Sequence, residues 1–116
     1  MGEAGLLKGK KATTNWYRAK EKLVEYNAHF KEERWVQDGK DWTSAGVSAG
    51  IDMSLALVAA VKGETYAKIA MLNLEYDPQP PFVGGSVKKT NPGIVNYLTA
   101  AYDGILEKEE EGSRTN

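Results

Sequence analysis

Short runs of apolar and aromatic residues alternate along the chain with longer helical patterns. Residues 12–16 are rich in β-branched and aromatic side chains and predict a buried strand. Residues 6–11 before them predict the last turn of a helix, with Gly9 as the left-handed cap. Residues 17–26 place apolar positions among Lys and Glu, which predicts a short surface helix.

A β-hairpin is predicted next. Residues 30–36 favour a strand, although their alternation is imperfect. The pair Asp38-Gly39 tolerates positive φ and predicts a tight turn, so that residues 40–44 run back as the partner strand.

A Gly-rich turn over residues 45–52 leads into the longest apolar pattern of the chain. Ser48 is the predicted N-cap, and Asp52 lies in the first turns, where the helix dipole favours an acid. The stripe is wide, so we expect this helix to be buried on more than one side. Its members are Val47, Ile51, Leu55 and Val58, extended by Met53, Leu57 and Val61.

The remaining chain predicts two helices separated by an extended connector. The first runs over residues 64–75 after Gly63, with Ile69, Ala70 and Leu74 facing inward. The proline-rich residues 77–85 exclude a helix or central strand. Thr90-Asn91-Pro92 then begins a last helix, because a cap residue precedes a proline. Its apolar stripe contains Ile94, Leu98, Ala101 and Ile105.

Helices that alternate with short strands indicate the α/β class. We expect one domain over residues 1–110, followed by a disordered tail over residues 111–116. About three strands are few for a sheet that must be covered on both faces. This imbalance suggests that the chain holds only part of a larger domain.

Composition removes several classes of function. With 15 basic and 16 acidic residues, the chain has no basic field for nucleic acid. No apolar run approaches the ~20 residues that span a bilayer, and residues 1–8 contain no secretory h-region, so we expect a cytoplasmic protein without a membrane partner. The 116 residues include no cysteine and one histidine, His29, so we expect neither a metal site nor a cofactor.

Three stretches in register resemble the DJ/PfpI superfamily. They are residues 4–16, which contain Thr13-Thr14-Asn15-Trp16, then residues 42–53 and residues 74–82. Their order and spacing resemble the isonitrile hydratase-like branch, and also the sensor half of certain AraC-type regulators. The resemblance covers residues 2–102. It implies a flavodoxin-like three-layer sandwich of the class I glutamine amidotransferase type, of which this chain supplies the C-terminal half.

The resemblance also implies what chemistry is absent. In the family a catalytic cysteine lies on a strand-to-helix elbow, and the helix that follows it ends in the segment matched by residues 4–9. The cysteine is therefore expected upstream of Met1. Many relatives have histidine where this chain has Asn15, and asparagine does not titrate near neutral pH. We expect no catalytic residue within this chain.

Candidate pocket residues follow from the resemblance and from the rule that open α/β folds bind ligands at the carboxyl ends of strands. The small residues of Thr43-Ser44-Ala45-Gly46 equally suit a tight passage from a strand into a helix. Trp35 and Trp42, with Trp16, favour core or interface packing over a ligand-stacking surface. The predicted pocket-lining residues are Thr14, Asn15, Trp16, Thr43, Ser44, Ala45 and Gly46.

The expected function is that of a DJ/PfpI protein related to cysteine-dependent hydratases or hydrolases of isonitrile hydratase type, inactive as it stands. The alternatives are a non-enzymatic ligand-sensing or interaction module, with a small molecule as its ligand, and a truncated gene product. Uncovered strand edges and apolar faces also predict a homo-oligomer such as a dimer, or a partly molten chain.

Overall fold

The computed structural model describes the backbone of residue 2 and residues 4–115, and side chains as far as residue 109. The chain divides into two compact units, residues 1–79 and residues 80–116. Strands and helices alternate in the α/β class, as predicted. The elements are β1 (Lys11–Ala12), α1 (Ala19–Glu25), β2 (His29–Phe30), β3 (Trp35–Asp38), β4 (Asp41–Ser44), α2 (Val47–Lys62), α3 (Glu64–Leu74) and α4 (Pro92–Thr115).

The first unit contains two small sheets. Parallel pairing joins β1 to β2, with Lys11 opposite His29, and antiparallel pairing joins β3 to β4. The predicted strand over residues 12–16 is shorter than expected, because the chain leaves the ladder after Ala12. The predicted strand over residues 30–36 is wrong as a single element. It divides into β2 and β3, and between them the Glu33 N–H donates to the Lys31 carbonyl in a local turn.

The predicted hairpin is confirmed. Gly39 adopts φ +62°, which glycine reaches without a Cβ penalty, and Asp38 and Asp41 form the last pair before the turn. The rings of Trp35 and Trp42 stack on one face of the hairpin, with centroids 5.5 Å apart and planes 17° apart. Both rings are half-buried. Each indole is therefore a packing partner of the other.

Side chains of the hairpin satisfy the backbone of β1 and of the residue after it. The Lys11 N–H donates to Asp38 Oδ2 at 2.7 Å, and the Thr13 N–H donates to Thr43 Oγ1 at 3.0 Å. Thr13 is 4% exposed, so its N–H has little access to water. These two bonds attach the strand to the hairpin without a regular ladder between them.

The helix boundaries follow the predicted signals at Gly63 and at Pro92. Gly63 ends α2 with φ +95° and precedes α3, and Glu75 closes α3 in the left-handed conformation. Pro92 begins α4, and the Asn91 side chain accepts a hydrogen bond from the Gly93 N–H at 2.8 Å. The N-cap of α2 differs from the prediction: it is Gly46, and no side chain caps it. The disordered tail over residues 111–116 stays a prediction; the helix assignment reaches Thr115, and Asn116 lies outside the described residues.

The core of the first unit is small. Leu7, Ala12, Leu23 and Ala28 form its main cluster, with Phe30 packed against it. Alanines supply much of the buried set, and they bury little apolar area each.

Apolar residues that were predicted to face inward are exposed. Ile69 and Leu74 of α3 and Ile94 of α4 lie on the surface of the described structure. α2 is less buried than expected: Ala49 is its buried residue, whereas Val47 and Val61 are exposed. In the first unit, the two-stranded sheets offer too little area to cover α2 and α3 fully. Among the described helices none is long and apolar enough to cross a membrane.

Mutation of Thr43 tests whether its hydrogen bond with the Thr13 N–H stabilises the attachment of β1 to the hairpin. We expect Thr43→Val to lower the free energy of unfolding by about 1–3 kcal/mol, because the buried Thr13 N–H loses its acceptor while side-chain volume is kept. Urea denaturation measures the loss. Thr43→Ser retains the hydroxyl and is the matched control. Equal stability of the Val and Ser variants would contradict the prediction.

Candidate functional site

The predicted pocket residues lie in two segments that one hydrogen bond brings together. Thr14, Asn15 and Trp16 follow β1, whereas Thr43 and Ser44 end β4. The bond from the Thr13 N–H to Thr43 Oγ1 holds the two segments side by side. Ala45 and Gly46 complete the second segment at the start of α2.

The first segment is engaged in a local turn. Asn15 Oδ1 accepts a hydrogen bond from the Tyr17 N–H at 3.0 Å, so the amide side chain orders the chain between β1 and α1. The Trp16 ring meets the Tyr17 ring edge to face, with centroids 6.0 Å apart. The Arg18 guanidinium lies over the Tyr17 ring, 5.4 Å from its centroid. Asn15 itself is exposed and Trp16 half-buried.

The second segment passes tightly into α2. The Ala45 N–H donates to the Arg34 carbonyl at 2.8 Å, which fixes the end of β4. Gly46 is extended, with φ −123° and ψ −171°. A Cβ on Gly50 would lie 3.6 Å from Ser44 Oγ, so the serine packs close to the first turn of the helix. This geometry fits the alternative that the small residues serve the strand-to-helix passage.

Two open clefts in the first unit have other linings. A cleft of about 770 Å³ is bounded by residues from the β2–β3 region, namely Lys11, Lys31, Glu33, Arg34, Trp35, Val36 and Gln37. A second, of about 520 Å³, lies at the end of α3 beside Met71, Leu72 and Tyr76. The predicted pocket over residues 14–16 and 43–46 lines neither of them. It stays a prediction.

An ionic cluster, which the sequence did not reveal, ties the loop before β3 to α2 and to the end of α3. Arg34 donates to Asp52 Oδ2 from Nε at 3.1 Å and from Nη2 at 2.7 Å. Arg34 Nη2 also lies 3.3 Å from Ser48 Oγ, and the Tyr76 hydroxyl donates to Asp52 Oδ1. Ser48, the predicted N-cap, is thus a partner of Arg34 instead. We call Arg34, Ser48, Asp52 and Tyr76 the Asp52 cluster.

The pKa values of Asp52 and Tyr76 in this cluster shift in opposite directions. The hydrogen bond from Tyr76, helped by the bonds and charge of Arg34, holds the pKa of Asp52 below its ordinary value against the opposing effect of burial. The bond to Asp52 raises the pKa of Tyr76, with burial acting in the same direction. Asp52 lies 18 residues from Arg34 and 24 residues from Tyr76, so no local sequence pattern predicts the cluster. Its hydrogen bonds clip the loop before β3 to α2 and to the end of α3.

His29 is the single histidine of the chain. It is exposed at the start of β2. Within the described part of the chain, no three His, Asp or Glu side chains are grouped to hold a metal ion.

The Asp52 cluster predicts a pH dependence of stability. The lowered pKa of Asp52 means that its contribution is present above the ordinary carboxyl pKa and is lost as pH falls through the folded value. Wild-type stability should therefore decline in acid below about pH 4. In Asp52→Asn this part of the decline should disappear, and in Tyr76→Phe it should shrink. Urea midpoints measured between pH 3 and pH 7 (a range set by the ordinary carboxyl pKa) provide the test, and parallel pH profiles for wild type and Asp52→Asn would refute it.

Comparison with known proteins agrees with the resemblance. The sequence profile of the DJ-1/PfpI family matches residues 1–60. An isonitrile hydratase from Pseudomonas putida is 40% identical over 96 residues, which cover 83% of this chain and 42% of that protein. The crystal structure of a THiJ/PfpI family protein from Pseudomonas syringae superimposes with a TM-score of 0.85 at 40% identity, over 92% of this chain and 44% of the other.

The chain therefore spans less than half the length of these two relatives. The partial coverage is consistent with the expectation that it corresponds to the C-terminal portion of the family domain. The family profile includes β1, the hairpin and most of α2, which are the elements that carry the predicted pocket residues. The chain belongs to the DJ-1/PfpI family.

Proposed function

We propose that this chain forms part of a small-molecule site of isonitrile hydratase type, and that the 116 residues do not catalyse hydration by themselves. The observation that carries the first part is the 40% identity to an isonitrile hydratase over 96 residues. That stretch covers 83% of the chain.

The second part rests on the chemistry of the side chains present. Covalent hydratase or hydrolase chemistry of the kind that the resemblance implies needs a thiolate nucleophile. The sequence contains no cysteine. Asn15 stands where many relatives have histidine, and an amide neither accepts nor releases a proton near neutral pH.

The predicted pocket residues can bind a ligand without reacting with it. Thr14, Thr43 and Ser44 offer hydroxyl groups that donate and accept, and Asn15 offers an amide group. A few polar groups of this kind, set beside apolar surface such as the half-buried Trp16, are typical of sites for small neutral molecules. Their role is to orient a ligand, while the reacting group would belong to another part of the domain.

A second candidate function is ligand binding with no reaction in the complete protein either, as in a sensor module. Asn15, which stands where many relatives have histidine, favours it, because an amide cannot transfer a proton near neutral pH. The two candidates differ in one measurable respect, which is turnover once the rest of the domain is supplied.

The proposed function predicts binding without turnover for the isolated chain. With a small alkyl isonitrile, we expect no hydration above the buffer rate by the purified 116-residue protein. In NMR titrations, amide shifts should concentrate at residues 14–16 and 43–46. Asn15→Ala and Ser44→Ala should weaken binding by about threefold to tenfold, as expected for one lost hydrogen bond each.

The matched control is Gln79→Ala, an exposed residue outside both segments. Hydration by the isolated chain would refute the proposed inactivity. Amide shifts confined to other parts of the chain would refute the proposed pocket.

A further inference from the structure

The cleft of about 770 Å³ lies beside the connector between β2 and β3. None of the side chains that line it belongs to the predicted pocket, so the proposed function does not account for it. Trp35 forms part of its wall. Its charged lining residues are Lys11, Lys31, Glu33 and Arg34. We call this cavity the β2–β3 cleft.

Lys11 and Lys31 project from the same face of the β1–β2 pair. Lys11 lies opposite His29 in the parallel register. The Lys31 N–H donates to the Ala12 carbonyl at 2.9 Å, so the ladder continues as far as Lys31. Residues that are paired across two strands, or that lie two apart on one strand, point to the same side of a sheet. Both lysines therefore reach the cleft from one side, whereas Ala12 on the opposite face is buried.

The ammonium groups of these two lysines are not neutralised within the described part of the chain. No described carboxylate lies within ion-pair distance of Nζ of Lys11 or Lys31. Asp38 contacts Lys11 through the backbone instead, because its Oδ2 accepts the Lys11 N–H at 2.7 Å. Two positive charges therefore line the cleft without a carboxylate partner of their own.

The other charged residues of the lining leave the cleft positive. Arg34 donates to Asp52 Oδ2 at 2.7 Å, so its charge is largely balanced inside the Asp52 cluster. Glu33 is the one acid among the described residues that line the cleft. Two lysines against this one carboxylate give a local charge of +1, whereas the whole chain carries −1. The cleft is therefore a local site of positive potential on a slightly acidic protein.

Trp35 supplies a flat apolar wall. Side chains alternate along β3, so Trp35 and Gln37 share one face of the hairpin, and the buried Val36 lies on the other. Trp42 stacks on the Trp35 ring, which stays half-buried, and the remaining surface of that ring contributes to the cleft. An aromatic ring beside a few polar groups is typical of small-molecule sites, and about 770 Å³ is within their usual size range.

We propose that the β2–β3 cleft binds a small organic anion, namely a carboxylate or a phosphate monoester with a planar apolar body. The ammonium groups of Lys11 and Lys31 hold the acidic group as point charges. The planar body lies against Trp35. A long polyanion such as nucleic acid is disfavoured, because the 15 basic residues of the chain are balanced by 16 acidic ones. The inference goes beyond the proposed function, since an isonitrile is neutral and the predicted pocket has other lining residues.

Three probes separate the effect of charge from that of shape. Benzoate has a ring and a carboxylate, benzamide has nearly the same shape without the charge, and acetate has the charge without the ring. In NMR titrations of the full 116-residue chain, benzoate should shift the amides of residue 11 and residues 31–37. Benzamide and acetate should each bind about tenfold more weakly, because one of the two contacts is lost.

Salt and a fourth probe identify the acidic group. Raising the NaCl concentration from about 20 mM to about 200 mM should weaken benzoate binding severalfold and leave benzamide unchanged, since salt screens exposed charges. Phenyl phosphate is titrated beside benzoate. Tighter binding of phenyl phosphate assigns a phosphate ligand to the cleft, and tighter binding of benzoate assigns a carboxylate.

Substitutions of the lining charges should act in opposite directions. Lys11→Gln and Lys31→Gln should each weaken benzoate binding by about threefold to tenfold. Glu33→Gln should strengthen it by about twofold to threefold, because it removes the opposing charge at nearly constant size. The matched control is Lys20→Gln on α1, an exposed lysine outside the cleft whose loss changes the net charge by the same amount. Its affinity should equal that of wild type.

Several outcomes would overturn the proposal. Equal losses in Lys20→Gln and Lys31→Gln would show a response to net charge alone. Benzamide that binds as tightly as benzoate would remove the role of the lysines, and acetate that does so would remove that of Trp35. Weaker binding in Glu33→Gln, or amide shifts confined to other residues, would also contradict it. Circular dichroism of each variant verifies that its fold is retained.

Discussion

A helix with apolar residues on two sides must be covered on two sides, and this constraint governs the molecule. α2 meets it only in part: it packs against the hairpin and α3 and buries Ala49, whereas Val47 and Val61 stay exposed. The core that results is built largely from alanines, with Leu7, Leu23 and Val36 as its larger members among the described residues. Because burial of apolar area is the dominant favourable term in folding, the apolar side chains that α2 leaves exposed, such as Val47 and Val61, contribute little to this core.

Polar contacts instead decide where the elements sit. The bonds from the backbone at Lys11 and Thr13 to side chains of Asp38 and Thr43 attach β1 to the hairpin. The Asp52 cluster then attaches the loop before β3 to α2 and to the end of α3. Each contact joins residues far apart in sequence. Together they position the two segments that carry the predicted pocket residues.

The sequence predicted those features that depend on one or two residues. Gly39 requires a turn, Gly63 ends a helix, and Pro92 begins one, so these boundaries agree with the structure. The α/β class followed from alternation and the family from motifs in register. Strand lengths were predicted poorly, since pairing partners and not local propensity decide where β1 stops. The N-cap at Ser48 was wrong because Arg34 lies beside that hydroxyl, a contact that no local pattern encodes. For the candidate site, the two segments stay a prediction, and the hydrogen bond between Thr13 and Thr43 was not predicted because no local pattern encodes it.

The side-chain bonds on β1 bear on how this chain associates with others. A bare strand edge adds further strands through its main chain, and such growth has no natural end. Here β1 pairs with β2 on one side, while Asp38 and Thr43 occupy the N–H groups that the chain presents on the other. Much of the exposed apolar surface belongs to helix side chains, among them Val47 and Val61 of α2 and Leu72 of α3. Contacts through a helix face saturate once that face is covered, so association through these side chains should be finite rather than fibrillar.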